Sequence, residues 1–265
     1  MINLMKKGIA FITLVAFLSV SNIAYASNTH SIDLELSSSQ YLSITDGGQT
    51  GLDVSTNITL ECWLKPKTIG INHSLIMKWT EDANRSYYFQ IDTANKLLFY
   101  ISDNGENSGG TLTKSDNAVF SATGTWVHLS ASFEAGTPGT VKLYVNNVSV
   151  DFGFVASLNN AESIFNSDSP VLIGAYDGGG GAGNFADGLV DEVRIWNDVR
   201  TPTEISDNYK KELVGDEAGL VGYWKLNNSL LDETSNDNDL TNNNSATFST
   251  DVPFVGAVRR IIMVE

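Results

Sequence analysis

The side chains of this sequence that could carry out nucleophilic or metal-assisted catalysis are three histidines and one cysteine. The histidines are His30, His73 and His128, and the cysteine is Cys62. The histidine spacing lacks the HxxxH pattern of zinc hydrolases, and a single cysteine excludes an internal disulfide and a CxxC site. A Ser–His–Asp triad needs a positioned nucleophile, and no G-x-S-x-G elbow is present. We therefore expect no catalytic site of these types.

Glycoside hydrolysis with retention needs two carboxyl groups about 5 Å apart. Asp33 and Glu35 supply two acids in one predicted strand, Glu61 stands alone in the next, and the adjacent Asp191 and Glu192 are expected on opposite faces. Asp33 and Glu35 therefore come without a third acid, and neither Glu61 nor the pair Asp191 and Glu192 is expected to place two acids on one face. The sequence predicts a protein that is not an enzyme, and acids assembled from separate loops remain the alternative.

Large aromatic side chains occupy positions suited to recognising a ligand. Trp63 and Trp126 fall among polar residues of predicted strands, and Trp79 and Tyr100 fall near predicted loop ends. Such rings can stack on sugars while neighbouring amides and carboxylates bond the hydroxyl groups. We predict these four residues as ligand-binding candidates. The competing interpretation is that they pack the edges of the fold.

The composition and net charge of the chain argue against some classes of function. The chain has 265 residues, of which 42% are hydrophobic, and its 31 acidic and 16 basic side chains give a net charge of −15. This balance argues against nucleic-acid binding and against docking on an acidic membrane. Residues 1–26 combine Lys6 and Lys7, a short apolar run and an Ala24-Tyr25-Ala26 site, which is typical of a secretory signal peptide. Removing this segment takes away two lysines and no acids, so we expect an exported chain of charge −17 without a membrane-spanning segment.

The secondary structure that must position these residues is indicated by apolar and polar residues that alternate, a pattern with a period of two. Apolar and polar residues alternate from Ile58 to Lys65 and recur in further short segments separated by Gly, Asn and Asp. Evenly spaced short strands indicate an all-β antiparallel sandwich or barrel. One short helix is predicted at Thr201-Pro202-Thr203-Glu204, a capping box with proline at its first position. We divide the chain into the signal peptide, one domain over 27–254 and a tail over 255–265.

Several segments, in this order and spacing, resemble the laminin-G-like, concanavalin A-like jelly-roll domains of secreted bacterial proteins, a group that includes pentraxin-type modules. The segments are Ile58–Pro66, Gly124–Ser130, Val141–Asn147, Leu172–Gly174, Phe185–Trp196, Thr203–Ile205, Leu220–Leu226 and Asp232–Asn236. The resemblance implies a two-sheet antiparallel jelly-roll sandwich. The E-x-D-x-x-E strand of the related glucanases is absent, which supports the prediction of a non-catalytic domain.

A metal site is suggested by Asp191. Period two places it on the same face as Leu189, Val193 and Ile195, where an isolated carboxylate would cost several kcal/mol. Either backbone amides in a bulge satisfy this carboxylate or a cation binds it.

The resemblance favours a cation at Asp191, because the matching acid of related jelly-roll glucanases binds a structural calcium ion. It implies calcium at Asp191, with further oxygen ligands from an early loop near Asp46. Asp232, in the segment 227–244 rich in Asp and Asn, is a third metal candidate, although such residues often stabilise turns instead.

The functional expectation is a secreted, non-catalytic module that binds glycans, with calcium as a structural cofactor. The alternative is a cell-surface or matrix domain that mediates protein–protein adhesion. A glycoside hydrolase with a non-standard site is a third hypothesis.

Overall fold

The computed structural model describes residues 27–81 and 83–255, with the side chains of 154–159 left out of the description. The signal peptide expected at 1–26 and residues 256–265 of the tail expected at 255–265 lie outside these residues. No helix in the described ranges is long and apolar enough to cross a bilayer.

The described chain is built from short strands and one α-helix. In chain order these are β1 Ser31–Leu34, β2 Tyr41–Ile44, β3 Ile58–Pro66, β4 His73–Thr80, β5 Asn84–Ile91, β6 Leu97–Ser102, β7 Gly110–Ser115, β8 Val127–Glu134, β9 Thr140–Val145, β10 Val148–Ser149, β11 Phe152–Asn159, β12 Val171–Ile173, β13 Tyr176–Asp177, β14 Ala182–Gly183, β15 Gly188–Trp196, α1 Pro202–Asn208, β16 Leu220–Trp224, β17 Thr241–Asn243 and β18 Thr247–Ser249.

The strands form two sheets. The eight-stranded sheet has the order β10-β9-β8-β3-β15-β1-β18, with β16 paired to β15. The ten-stranded sheet has the order β11-β7-β6-β5-β4-β12-β2-β17, with the β13–β14 hairpin beside β4. The β3–β8 and β5–β6 ladders are antiparallel, as are the others except a single parallel contact of β13 with β4. The prediction of an all-β, two-sheet antiparallel jelly-roll sandwich with one short helix is confirmed.

The core lies between the sheets and follows the predicted alternation. Ile58, Leu60, Cys62 and Leu64 of β3 are all fully buried in it. Burial also raises the pKa of the Cys62 thiol far above its usual range, so this residue is an unreactive core side chain, as predicted.

Local turn and cap signals also match the structure. β5 and β6 form a hairpin, whose turn is closed by the amide of Asn95 donating to the carbonyl of Asp92 over 2.8 Å. Helix α1 has the predicted capping box: the Thr201 hydroxyl accepts from the amide of Glu204, and the Glu204 carboxylate accepts from the amide of Thr201. Its seven residues, Pro202–Asn208, make about two turns.

The two sheets differ in how their outer faces are covered. The outer face of the central strands β3 and β15 of the eight-stranded sheet is buried because α1 and the chain after it lie across these strands. Here the Trp63 indole donates to the carbonyl of Tyr209 over 2.9 Å, and Arg194 donates to the carbonyl of Asn208 over 3.2 Å. The outer face of the ten-stranded sheet instead has half-buried side chains, among them Tyr88 and Leu112.

One sequence-based assignment of faces is wrong. The register of β15 against β3 shifts between Asp191 and Arg194, and Glu192 adopts a left-handed φ of 51°. This bulge leaves Val193 in the core while Asp191 and Glu192 both lie outside it. A bulge adds one residue to one strand and so interrupts the alternation of faces. The two acids are therefore on the same side of the sheet, and Asp191 is not among the core residues.

Candidate functional site

Four aromatic residues gather on the outer face of the ten-stranded sheet. The rings of Trp79 and Tyr100 have centroids 4.6 Å apart. Tyr88 meets Trp79 edge-on at 5.5 Å, and Tyr176 meets Tyr88 edge-on at 5.7 Å. We call these four residues the aromatic face. It contains two of the four predicted ligand-binding residues, Trp79 and Tyr100.

Strand register explains how these residues meet. Met77 of β4 pairs with Tyr88 of β5, and Tyr88 pairs with Tyr100 of β6. Directly paired residues on one side of a sheet lie within contact distance, so the three side chains form a row across three strands. The register of β4 against β5 shifts after Lys78, and Trp79 is therefore paired with Arg85.

The members of the aromatic face differ in accessibility. Trp79 is 3% exposed and Tyr100 is 6% exposed, whereas Tyr88 and Tyr176 are half-buried. Trp79 and Tyr100 thus support the two rings that solvent reaches. The sequence analysis did not single out Tyr88 or Tyr176. The alternation in β5, where Tyr87 and Phe89 face the core, would have placed Tyr88 on the outer face.

Polar groups surround these rings. The Arg85 guanidinium lies 5.7 Å from the centre of the Trp79 ring and pairs with both Glu81 and Glu106. The Tyr176 hydroxyl donates to Glu81. Burial raises the pKa of Tyr176, so its hydroxyl is neutral at physiological pH. The combination of apolar ring surfaces with charged and amide groups is suited to binding a polyhydroxylated ligand.

One buried donor on this face lacks a partner. Gln90 is 2% exposed, and its Oε1 accepts from the Tyr88 hydroxyl. Its Nε2 has no hydrogen-bond partner among the described residues. Buried polar groups are rarely left unpaired, so a ligand or water oxygen next to Tyr88 would complete this site.

The other two predicted ligand-binding residues, Trp63 and Trp126, meet on the opposite side of the molecule. They line a depression of about 280 Å³ over the eight-stranded sheet, which we call the Trp126 groove; its other lining residues are Asn146, Tyr209, Lys210 and Pro253. Trp63 is 4% exposed, and Trp126 is half-buried. The four predicted residues thus form two pairs, one on each sheet.

Asp191, the first metal candidate, is fully buried at the bulge of β15. Its carboxylate accepts from Asn28 Nδ2 over 2.8 Å and from the amide of Glu192 over 2.9 Å. The backbone amide in a bulge that the sequence analysis considered is therefore present. Burial, reinforced by the neighbouring Glu192 carboxylate, raises the pKa of Asp191 well above its usual range.

Several oxygens near Asp191 have no partner. They are Asn28 Oδ1, Glu192 Oε1 and Glu212 Oε2, each buried and unbonded among the described residues. Burial raises the pKa of Glu212, and it raises that of Glu192 to about 7. Arg194 pairs with Glu192, but Asp191 and Glu212 have no ion-pair partner among the described residues. Carboxylate and amide oxygens without donors are ligands that calcium takes, so the chemistry of this donor set fits calcium. No group of three or more His, Cys, Asp or Glu residues in 27–81 and 83–255 is placed to hold a metal, so amide oxygens would have to complete the coordination.

Asp46 and Asp232, the other two metal candidates, have hydrogen-bond partners different from those of Asp191 and from each other's. Asp46 accepts from the buried ammonium of Lys78 over 2.7 Å, and this hydrogen bond lowers the pKa of its carboxylate. The Asp232 carboxylate accepts from Tyr223, Thr234 and Asn238 backbone amides at 3.0 Å and from the Thr234 hydroxyl at 2.8 Å. The Lys78 ammonium thus already neutralises Asp46, and four hydrogen-bond donors already occupy the carboxylate of Asp232.

The acids considered for catalysis are engaged in other interactions. Glu61 Oε1 accepts from the Trp196 indole over 2.7 Å, and its Oε2 lies 3.2 Å from His128 Nε2. Glu61 and His128 are both 1% exposed. Asp33 and Glu35 both pair with Lys67 at the surface. These residues do not form an acid pair across an open cleft.

Comparison with known proteins agrees with this architecture. Residues 36–206, more than half of the chain, match the profile of the concanavalin A-like lectin/glucanases superfamily. A Bacteroides ovatus protein provisionally assigned as carbohydrate binding has a TM-score of 0.64 at 20% identity, over 91% of this chain and 67% of that one. The heptameric SAP-like pentraxin of Limulus polyphemus has a TM-score of 0.59 at 14% identity, over 85% of this chain and 97% of that one. A search of curated proteins found no match.

At these identities the structural likeness shows the fold, and the resemblance inferred from the sequence is confirmed. On the profile match, the chain belongs to the concanavalin A-like lectin/glucanase superfamily.

Proposed function

We propose that this chain is an exported, non-catalytic glycan-binding domain that binds through the aromatic face. The observation that carries the proposal is the arrangement of Tyr88 and Tyr176. Their half-buried rings lie 5.7 Å apart and rest on the buried Trp79. Two fixed, accessible rings bind the apolar faces of sugars at a low cost in side-chain entropy.

Hydrogen-bonding groups beside the rings supply the polar half of the interaction. Glu81 and Glu106, which pair with Arg85 beside the rings, can accept from sugar hydroxyls. The provisional assignment of the Bacteroides ovatus protein as carbohydrate binding supports the same function. Export is inferred from the signal-peptide pattern of residues 1–26, and its test is whether the mature chain begins at Ser27.

The test is a glycan array followed by calorimetric titration of the best neutral glycan. We expect Tyr88→Ala and Tyr176→Ala each to weaken binding by about tenfold, equivalent to about 1.4 kcal/mol. Phe248→Ala is the matched control, because it removes a half-buried aromatic ring from β18 of the opposite sheet, outside both candidate sites, and its affinity should stay within about twofold of wild type.

Three other outcomes would contradict this site or favour one of the alternative functions. Wild-type affinity in both aromatic-face variants would contradict this site. Binding to a surface protein that free sugars do not inhibit would favour the adhesion alternative, and release of reducing ends from a polysaccharide would favour the hydrolase.

The proposal includes a structural calcium ion at Asp191. Asp191 and Glu212 would supply carboxylate oxygens, and Asn28 would supply its amide oxygen. The ion would neutralise acids that now lie buried without a cationic partner. Because Asn28 precedes β1 and Asp191 lies in β15, this ion would fasten the start of the domain to a central strand. Asp46 and Asp232 are not part of this proposed site.

A further inference from the structure

The Trp126 groove is formed by five separate parts of the chain, at the outer side of the eight-stranded sheet, and Trp63 of β3 is one of them. Trp126 immediately precedes β8, Asn146 lies in the β9–β10 turn, Tyr209 and Lys210 follow α1, and Pro253 lies in the last described segment. The groove and the aromatic face lie on opposite sheets, so a ligand in one does not contact the other.

The rings that line this groove are held in place. Tyr209 stacks on Trp63, with centroids 5.9 Å apart and planes 13° apart. Phe254 packs against Trp63 from a further direction, at 6.1 Å. The indole nitrogen of Trp126 donates to Asp251 Oδ1 over 2.9 Å. Fixed rings reduce the ordering cost of stacking a sugar on them.

The polar lining of the groove carries an unneutralised positive charge. The Lys210 ammonium lies 5.1 Å from the centre of the Tyr209 ring, and Lys210 is exposed. No carboxylate of the described residues lies within ion-pair distance of it. Asp251, the acid nearest to Trp126, is paired with Lys65 instead. An anionic ligand group would therefore find Lys210 available.

Asn146 supplies a further donor. Its Oδ1 accepts from the backbone amide of His128 over 3.0 Å, which fixes the side chain and leaves its Nδ2 for a ligand. Both central residues of this turn have left-handed backbones, with φ of 50° at Asn146 and 68° at Asn147. Because asparagine tolerates this conformation, the turn can present an amide at the rim of the groove.

We propose that the Trp126 groove is a second binding site, specific for an acidic sugar such as a hexuronic acid residue. The sugar carboxylate pairs with Lys210, the face of its ring packs against Trp126 or Tyr209, and Asn146 donates to a hydroxyl. A neutral sugar cannot form an ion pair with Lys210, so the groove should bind an acidic sugar more tightly than a neutral one. The proposal does not depend on glycan binding at the aromatic face.

The test compares trigalacturonate with its carboxyl-reduced, neutral trimer in titrations of the purified chain. A short probe is used because the net charge of −15 repels long polyanions. We expect wild type to bind the acidic trimer about five- to tenfold more tightly than the neutral one, and Lys210→Gln to abolish this preference. Trp126→Ala should weaken binding of both trimers.

Lys142→Gln is the matched control, since it removes an exposed lysine from β9 of the same sheet and should leave the preference intact. Equal affinity of wild type for the two trimers, or an unchanged preference in Lys210→Gln, would overturn the proposal. Tyr88→Ala should not alter the preference for the acidic trimer. Loss of the preference in that variant would place acidic sugars on the aromatic face and would also contradict the groove. The titrations with neutral glycans test the aromatic face separately.

Discussion

Trp79 and Tyr100 lie with ring centroids 4.6 Å apart, although β5 separates their two strands. Both side chains are buried, and they underlie the accessible rings of Tyr88 and Tyr176. The aromatic face therefore has a supporting layer and a contact layer. Substitutions in the two layers should have different consequences.

Truncation of the supporting layer should reduce stability more than truncation of the contact layer. Trp79→Ala removes a buried indole, and we expect it to lower the free energy of unfolding by about 3–5 kcal/mol. Tyr88→Ala should lower it by roughly 1–2 kcal/mol, because this ring is already partly exposed to solvent. Urea unfolding of the two variants beside wild type measures the difference. A stability loss in Tyr88→Ala as large as that in Trp79→Ala would contradict the two-layer description.

Removal of calcium should lower the melting temperature of the wild-type chain. At a free calcium concentration one hundred times the Kd, a site present only in the folded state contributes about 2.7 kcal/mol. In a domain of this size that corresponds to a fall of roughly 5–10 °C on adding EGTA. Asp191→Asn should melt at the same temperature with and without EGTA. A wild-type melting curve unchanged by EGTA would remove calcium from the proposal.

Stability should decrease as the pH falls below about 6.5, the ordinary pKa of histidine, partly because of His73. His73 is fully buried, its Nε2 lies 2.8 Å from the carbonyl of Thr68, and its Nδ1 accepts from the amide of Asp187 over 3.3 Å. Burial lowers the pKa of His73 despite the opposing charge of Asp187. The unfolded chain thus takes up this proton at higher pH than the folded chain, which favours unfolding as the pH falls.

The contribution of His73 is at most about 1.4 kcal/mol per pH unit. Chemical unfolding at pH 8 and pH 5 measures it, and His73→Gln should show a shallower pH dependence than wild type. His30→Gln, a partly exposed histidine, is the control. Equal slopes in wild type and His73→Gln would contradict the prediction.

Arg194 is expected to be important for stability. Its guanidinium is 1% exposed and donates to Glu192 over 2.6 Å and to the carbonyl of Lys211 over 2.5 Å. Arg194→Met leaves the Glu192 carboxylate and two backbone carbonyls without this partner. We expect the free energy of unfolding to fall by about 3–5 kcal/mol. Guanidinium unfolding curves measure this loss.

Two further variants make the Arg194 prediction specific. Glu192→Gln in the Arg194→Met background should recover part of the loss, because it removes the buried negative charge. Arg200→Met removes a more exposed arginine, which pairs with Asp198 and Glu204, and should cost only about 1 kcal/mol. If the double variant is no more stable than Arg194→Met, the uncompensated charge is not the cause.

Much of the fold could be predicted because it depends on local patterns. The alternation in β3 identified its core residues, and the capping box at Thr201 and Glu204 identified the start of α1. The bulge at Asp191 and Glu192 was one of two alternatives that the sequence left open, because an acid on an apolar face indicates either a bulge or a bound cation and the alternation does not separate the two.

The candidate sites were less predictable because they depend on contacts between distant segments. The hydrogen bond from Asn28 to Asp191 spans 163 residues, and no local pattern connects them. Trp63 and Trp126 were identified as separate aromatic residues, but Lys210 joins them only because the chain folds back after α1. The position of Tyr88 on the outer face could have been predicted from the sequence, since Tyr88 alternates with core residues of β5.

The placement of the aromatic face and the Trp126 groove on opposite sheets has a consequence for assembly. The entire core separates the two surfaces, so one short oligosaccharide cannot occupy both, and saturation should require two equivalents of mixed ligand. Each copy of the domain would then hold one neutral glycan and one short acidic oligosaccharide at the same time, on opposite sides, and would link the two kinds of glycan without a covalent bond.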